Sequence, residues 1–261
     1  MPRHLARKRF GQNFLIDVQI IQQIAALFER PIEKNHRLIE IGPGRGALTG
    51  ALLELGQPLL ALELDRDLIP ILQTRLSHHK HFELRQGDAL QTDFNALGEG
   101  LPLRLVGNLP YNVATPLIFI LLESIDNIID MHFMLQWEVV ARLCAQPGDQ
   151  HYGQLSVVVQ NVCEARALIE VPPTAFSPAP KVQSGFIALT PRVEPQIEHE
   201  LHEKFNRVVK TSFAHRRKTI RNNLKGILSE QQIESADIDP GARAETLNIE
   251  NYAALTRLVA D

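Results

Sequence analysis

Apolar residues recur at two periods along this chain. In "DVQIIQQIAALFER" they fall three and four positions apart, which predicts an amphipathic helix, whereas "RLIEIGPG" is a short apolar run closed by glycines, which predicts a buried strand. The two signals then alternate: "ALTGALLELG" (helix), "QPLLALELD" (strand), "LIPILQTRL" (helix), "FELRQGDAL" (strand and loop), "LRLVGNLPYN" (strand and loop), "TPLIFILLES" (helix) and "DMHFMLQ" (strand). Such alternation of apolar strands with helices predicts an α/β fold around a parallel sheet covered on both faces. Farther on, "QLSVVVQNVCEA" and "SGFIALTP" read as strands flanking the loop "VPPTAFSPAPKVQ", and beyond Pro191 the pattern turns helical and strand-poor. The expected organisation is therefore a domain over 1–190 and a small helical domain over 191–261.

Ligands of parallel sheets bind beyond the carboxyl ends of the strands. That rule gathers "GPGRG", "ELD", "GDA" and "NLPYN" into one candidate site. Gly42, Gly44 and Gly46 allow close approach of a ligand to the backbone, next to a helix N-terminus. A nicotinamide enzyme uses a related turn, but its fingerprint is G-x-G-x-x-G, and the G-x-G-x-G here with Glu40 before it resembles the S-adenosylmethionine site of Rossmann-like methyltransferases. Glu63, about 20 residues after Gly42, is placed to accept ribose hydroxyls. Asp65 competes for that role, and a helix N-cap before "RDLIPIL" is the preferred reading of it. Asp88 follows the third strand, where methyltransferases of this class bond the adenine amino group. Its alternative is an Asx-turn or cap.

"NLPY" fits the [DNS]-[PL]-P-[YFW] pattern of enzymes that methylate exocyclic amines. The lone pair of such an amine is delocalised into the ring, so the nitrogen is a poor nucleophile. Acceptors at the Asn108 side chain and the Pro110 carbonyl can bond its N–H groups and aim the lone pair, while Tyr111 stacks on the base. A paired base cannot reach such a pocket and has to be flipped out or already unpaired. Dimethylation would further require the pocket to admit a methyl after the first transfer, and Leu109, rather than a second polar group beside Asn108, is compatible with that.

In order and content these segments resemble the KsgA-type ribosomal RNA adenine dimethyltransferases of the small subunit. "RKRFGQNFL", "IEIGPGRGALT", "LELD", "GDAL", "GNLPYN", "MHFMLQ", "YGQLSV", "VPPTAFSPAPKV" and "FAHRRKTIRNNL" carry the resemblance over nearly the whole chain. It implies a class I S-adenosylmethionine-dependent methyltransferase sheet with a C-terminal helical RNA-binding domain, S-adenosylmethionine as donor, and no metal. It implies four methyl transfers to two adjacent adenosines in the 3′-terminal hairpin of 16S rRNA, within an immature small subunit in the cytoplasm. It further implies that Asn13 and Leu15 contact the cofactor, that Phe176 is a second stacking face opposite Tyr111, and that Lys181 touches the RNA backbone. One position departs: Trp137 stands where the family pattern "MLQKEV" has a basic residue, which puts an RNA-side contact in doubt.

A net charge of -3 argues against a nucleic-acid partner only if charge is evenly spread. Between Glu203 and Glu230 there is no acidic residue, and eight basic ones fall there. Arg216, Arg217, Lys218 and Arg221 are the candidate phosphate contacts, with Phe213, Ile220 and Leu224 pinning a helix to the core. The basic arm at Arg3, Arg7, Lys8 and Arg9 is a further candidate. Cys144 and Cys163 lack metal or disulfide spacing and read as packing residues. No apolar run reaches membrane-spanning length, no secretory signal is expected, and a monomer is the default. Two rival functions share these features: a 23S rRNA adenine methyltransferase of the macrolide-resistance type, and an assembly factor acting mainly by binding. A DNA adenine methyltransferase fits less well, for want of a target-recognition domain.

Overall fold

The computed structural model describes residues 12–29 and 35–259; the basic arm at Arg3, Arg7, Lys8 and Arg9 lies outside them. The chain divides into two compact units, residues 1–140 with 166–191 and residues 141–165 with 192–261.

In the first unit a short strand β1 (Phe14–Leu15) leads into helix α1 (Val18–Ala26), whose N-cap Asp17 accepts from the backbone N–H of Gln19 and Ile20. The chain then alternates as its pattern predicts: β2 (Arg37–Ile41), α2 (Ala47–Leu53), β3 (Leu59–Glu63), α3 (Ile69–Leu76), β4 (Phe82–Gln86), α4 (Phe94–Leu97), β5 (Leu103–Asn108), α5 (Tyr111–Glu123), β6 (Ile128–Gln136) and α6 (Trp137–Cys144). After α7 (Gln154–Val162) come β7 (Cys163–Val171), β8 (Phe176–Ser177) and β9 (Ser184–Pro191). The main sheet has the order β4-β3-β2-β5-β6-β9-β7, with β2 to β6 parallel and β9 antiparallel to β6. Strand order reverses between β2 and β5, and in such sheets that reversal opens a crevice at the carboxyl ends. Arg104 lies opposite Asp130 in the β5–β6 ladder, and a 3.0 Å ion pair between them, buried at Arg104, favours that register. A second, two-stranded ribbon pairs β1 with β8, Leu15 opposite Phe176.

The second unit adds α8 (His202–Ser212), α9 (Ile220–Asn223), α10 (Glu230–Ser235) and α11 (Ile249–Arg257). Phe205, Val208 and Val209 of α8 and Tyr252 and Leu255 of α11 are all buried, and Phe213 sits 6.3 Å from the Tyr152 ring and 5.9 Å from that of Tyr252.

Three readings of the pattern are corrected here. "QLSVVV" is helix, not strand: β-branched residues favour strands locally, but every residue from Leu155 to Val162 is buried, so tertiary packing overrides that preference. Its Gln160 donates to the carbonyls of Leu143 and Ala145, both at 2.8 Å, and Tyr152 donates to the Leu247 carbonyl. The Gln160 bonds hold 141–165 together and the Tyr152 bond ties it to residue 247, and the segment belongs to one unit with 192–261, so the division is not a single cut after residue 190. The basic segment also departs from one continuous helix. Residues 213–219 form turns between α8 and α9, which leaves Arg217 outside helical spacing with Arg221.

Candidate active site

A cavity of about 210 Å³ opens at the carboxyl ends of β2, β3 and β5. Its wall contains Asn13 and Leu15 from the N-terminal segment, Gly42 and Gly44 from the glycine turn, and Glu63 and Asp88 from the next two strand ends. Asn108, Pro110 and Tyr111 line the same cavity. Nine of the ten residues that the sequence assigns to donor binding and amine orientation thus converge; the tenth, Gly46, is the N-cap of α2 with φ +74 and does not line the cavity. Gly44 has φ +58, and a Cβ there would come within 3.0 Å of the Phe14 ring, so both its backbone and the ring above it require glycine. Gly107 has a different reason: a Cβ would lie 2.5 Å from the Ile41 carbonyl, so only glycine lets β5 come close enough to β2 to place Asn108 at the cavity edge.

Glu63 is buried and accepts from Gly44 N–H at 3.1 Å and Asp65 N–H at 2.8 Å. Burial pushes its carboxyl pKa upward, and these backbone donors oppose the rise. Asp65 is not the N-cap of α3, which is Leu68; its carboxylate instead accepts from Asp67 N–H and from the Gln12 side chain. Asp88 accepts from Leu90 N–H at 2.9 Å, the cap geometry held open as its alternative, while also lining the cavity. Glu40, two residues before Gly42, is 2% exposed, and its Oε2 has no hydrogen-bond partner. Burial, with Glu63 close by, pushes its carboxyl up to about 8.

At the amine end, the Asn108 Nδ2 donates to the backbone carbonyl of Asn13 at 2.8 Å. A carbonyl can only accept, so this contact fixes which end of the amide is nitrogen and leaves Oδ1 as the acceptor. The Pro110 carbonyl accepts from Val113 N–H at 3.0 Å, so one of its two lone pairs is taken and one remains. Tyr111 opens α5 and its hydroxyl lies 2.8 Å from Ser184 Oγ.

Other expected residues fall elsewhere. Phe176 is 3% exposed, does not line the cavity, and packs in the core with Phe14 and Leu15, so its ring is covered and cannot stack on a base in this arrangement. Lys181 is exposed on the following loop. Arg216, Arg217, Lys218 and Arg221 are exposed in the second unit, but Arg216 donates to the Gln150 carbonyl and Arg221 pairs with Glu230 at 2.7 Å. An acidic partner is therefore present for Arg221 after all, supplied from α10. Trp137 lies against β9: a Cβ on Gly185 would meet its ring at 2.9 Å. Burial pushes the Cys163 thiol up to about 12, which fits a packing role.

The sequence reading missed Gln12, which braces Asp65, and Leu64, 47% exposed in the cavity wall. Leu64 directly follows Glu63, so its position at a strand end was the available signal. Among the described residues no group of three His, Cys, Asp or Glu is placed to hold a metal, and no helix is long and apolar enough to cross a membrane.

The strand reversal, the glycine turn over it and the acidic residues at successive strand ends define a class I S-adenosylmethionine-dependent methyltransferase fold. The comparisons with known proteins take this further. The Ribosomal RNA adenine dimethylase family matches residues 3–261, and the chain belongs to that family. It is 51% identical over 258 residues to the Ribosomal RNA small subunit methyltransferase A of Saccharophagus degradans, covering 98% of this chain and 95% of that one. Its counterpart in Pseudomonas aeruginosa is 49% identical over 260 residues, 99% and 96% of the two chains. Among solved structures, the 23S rRNA methyltransferase ErmE superposes with a TM-score of 0.75 at 25% identity, over 95% of this chain and 99% of that chain. A dimethyladenosine transferase from Plasmodium falciparum gives 0.76 at 22% identity, over 92% and 95%, and bears on the fold alone.

Proposed function

We infer that this protein transfers methyl groups from S-adenosylmethionine to adenosine N6 in small-subunit rRNA, forming N6,N6-dimethyladenosine. At its most specific, the reading is four transfers to two adjacent adenosines in the 3′-terminal hairpin of 16S rRNA, on a maturing small subunit in the cytoplasm. The observation that carries it is the convergence of Asn108, Pro110 and Tyr111 on the same cavity as Gly42, Glu63 and Asp88. Relatives about 50% identical over almost the full chain are named for the small subunit, which favours that substrate over the 23S rRNA of ErmE.

The cavity suits a donor with an adenosine end and a cationic end. Glu63 would take the ribose hydroxyls, Asp88 the adenine amino group and Leu64 an apolar ring face, while Asn13 and Leu15 close the site from the N-terminal side. The orphaned Glu40 Oε2 leaves an unmatched polar atom in the wall for a polar group of the ligand. When bound, S-adenosylmethionine supplies an electrophilic methyl on a sulfonium.

The chain's own part is orientation. Asn108 Oδ1 and the remaining lone pair of the Pro110 carbonyl accept from the two amine N–H groups, drawing the nitrogen toward pyramidal geometry with its lone pair aimed at the methyl. Tyr111 stacks on the flipped base, worth roughly 1–3 kcal/mol against the few that unstacking costs. The nitrogen sheds a proton after transfer, so no general base with a shifted pKa is required. Arg216, Arg217 and Lys218, with Arg221 and Lys181, would hold rRNA phosphates and leave recognition largely to RNA shape.

Labelled S-adenosylmethionine offered with small subunits, large subunits or unmethylated DNA tests this directly. Label recovered from 16S rRNA as N6,N6-dimethyladenosine is the expected result. Label only in 23S rRNA or DNA would overturn the substrate. Tight subunit binding without label, or rescue of ribosome maturation by an inactive Asn108→Ala variant, would favour an assembly factor.

A further inference from the structure

Tyr111 is held at both ends. Its backbone is fixed at the start of α5, directly after Pro110 with φ -58 and ψ 135, and its hydroxyl lies 2.8 Å from Ser184 Oγ. Ser184 is fully buried as the first residue of β9, paired in register with Gln136 at the end of β6. The main-chain carbonyl just before it, that of Gln183, accepts from Trp137 N–H at 2.9 Å, so the backbone carrying Ser184 is itself tied to the sheet. A hydroxyl with no exposure is costly unless bonded, and the Tyr111 hydroxyl is the partner at this site. Either oxygen can donate. Burial raises the pKa of the Tyr111 hydroxyl, so it keeps its proton through the neutral range.

A tyrosine anchored only at its Cα turns about χ1 and χ2, and its ring plane follows whatever packs on it. Bonding the far end of the ring to a buried, sheet-borne group removes that freedom and sets the plane in advance. We propose that Ser184 is a positioning residue for methyl transfer, clamping the Tyr111 hydroxyl so that the ring presents one fixed stacking plane to the target base. This rests on the reading of Tyr111 as the base-stacking residue.

The clamp matters unequally for the two transfers to one nitrogen. The unmodified amine has two N–H groups for Asn108 and Pro110, whereas the monomethylated amine has one, so one acceptor loses its partner. The stacking plane then carries a larger share of the orientation. Loosening it should slow the second transfer more than the first.

The test compares Ser184→Ala, Tyr111→Phe, the double variant and Tyr111→Ala in the full chain. S-adenosylmethionine affinity, melting temperature, single-turnover rates and the ratio of N6-methyl- to N6,N6-dimethyladenosine in 16S rRNA are measured. Ser184→Ala and Tyr111→Phe should each slow transfer about 5- to 10-fold, the scale of one lost hydrogen bond, and raise the monomethyl share. Cofactor affinity should stay unchanged, and the double variant should be no slower than either single one. Losses that multiply in the double variant, or a fall in cofactor affinity matching the fall in rate, would overturn the clamp. Should Ser184→Ala fail to fold, Tyr111→Phe decides alone, and wild-type rate and product ratio in it would end the proposal. Tyr111→Ala separates the two levels: full activity there would remove the stacking role itself. Loss in Tyr111→Ala with wild-type Tyr111→Phe would keep stacking and discard Ser184.

Discussion

The Asn108 side chain donates to the main-chain carbonyl of Asn13 at 2.8 Å, joining the amine-orienting end of the cavity to the N-terminal segment. Because that carbonyl only accepts, the contact decides the direction of the Asn108 amide. It follows that Asn108→Asp, a change of one atom, should be nearly as harmful as Asn108→Ala. The aspartate cannot donate to Asn13, and its charge would face a carbonyl oxygen, an unmet part-buried contact worth about 1 kcal/mol or more. Both variants should lower single-turnover transfer on the order of 100-fold. Near-normal transfer by Asn108→Asp would mean that the Asn13 contact does not set the acceptor.

Glu40 makes a pH-dependent prediction. Its carboxyl has a folded-state pKa of about 8 against an ordinary 4.5, so between those pH values the unfolded chain releases a proton that the folded chain keeps. Stability from this group is therefore fully present below about pH 4.5 and is lost as pH rises toward 8, by at most about 1.4 kcal/mol per pH unit. Glu40→Gln removes the ionisation while keeping the shape. In thermal melts without cofactor, the variant should gain on the wild type progressively from pH 5 to pH 8. Parallel curves would show that Glu40 ionises normally.

Phe176 is expected to behave as a core residue. It is paired with Leu15 in the β1–β8 ribbon and buried in one cluster with Phe14, so Phe176→Ala leaves a cavity and should cost about 3–5 kcal/mol of stability. Because Leu15 lies opposite Phe176 and also lines the cavity, cofactor affinity should fall along with turnover. An unchanged melting temperature with lost turnover would instead restore the ring as a stacking face for the base.

The four basic residues should not be equivalent. Removing a phosphate contact lowers the salt slope of RNA binding by about 0.7 to 0.9. Arg217→Ala and Lys218→Ala should each do so, whereas Arg221→Ala should do less, because Glu230 already competes for its guanidinium. Glu230→Ala should correspondingly tighten RNA binding. Filter-binding titrations over a range of salt give these slopes, and equal slopes for wild type and Arg217→Ala would reduce that residue to a solvated surface charge.

Much of this protein is written in local pattern. Apolar period and glycine turns determine the alternation from α1 to β6, and the rule that ligands sit at strand ends is enough to bring Gly42, Glu63, Asp88 and Asn108 to one place from the sequence alone. These are short-range signals, and a strand followed by a turn reveals itself within ten residues. Tertiary structure decided what depends on partners distant in sequence. The run "QLSVVV" is helix because all its sides are buried, which β-branched composition cannot disclose. Phe176 lies in the core because β8 finds β1, and Arg221 is paired because α10 returns beside it. The direction of the Asn108 amide, the orphaned oxygen of Glu40 and the bond from Tyr111 to Ser184 likewise arise only when separate strand ends meet. Sequence determined which chemical groups reach the sheet edge; long-range packing determined which of their atoms remained available for a ligand.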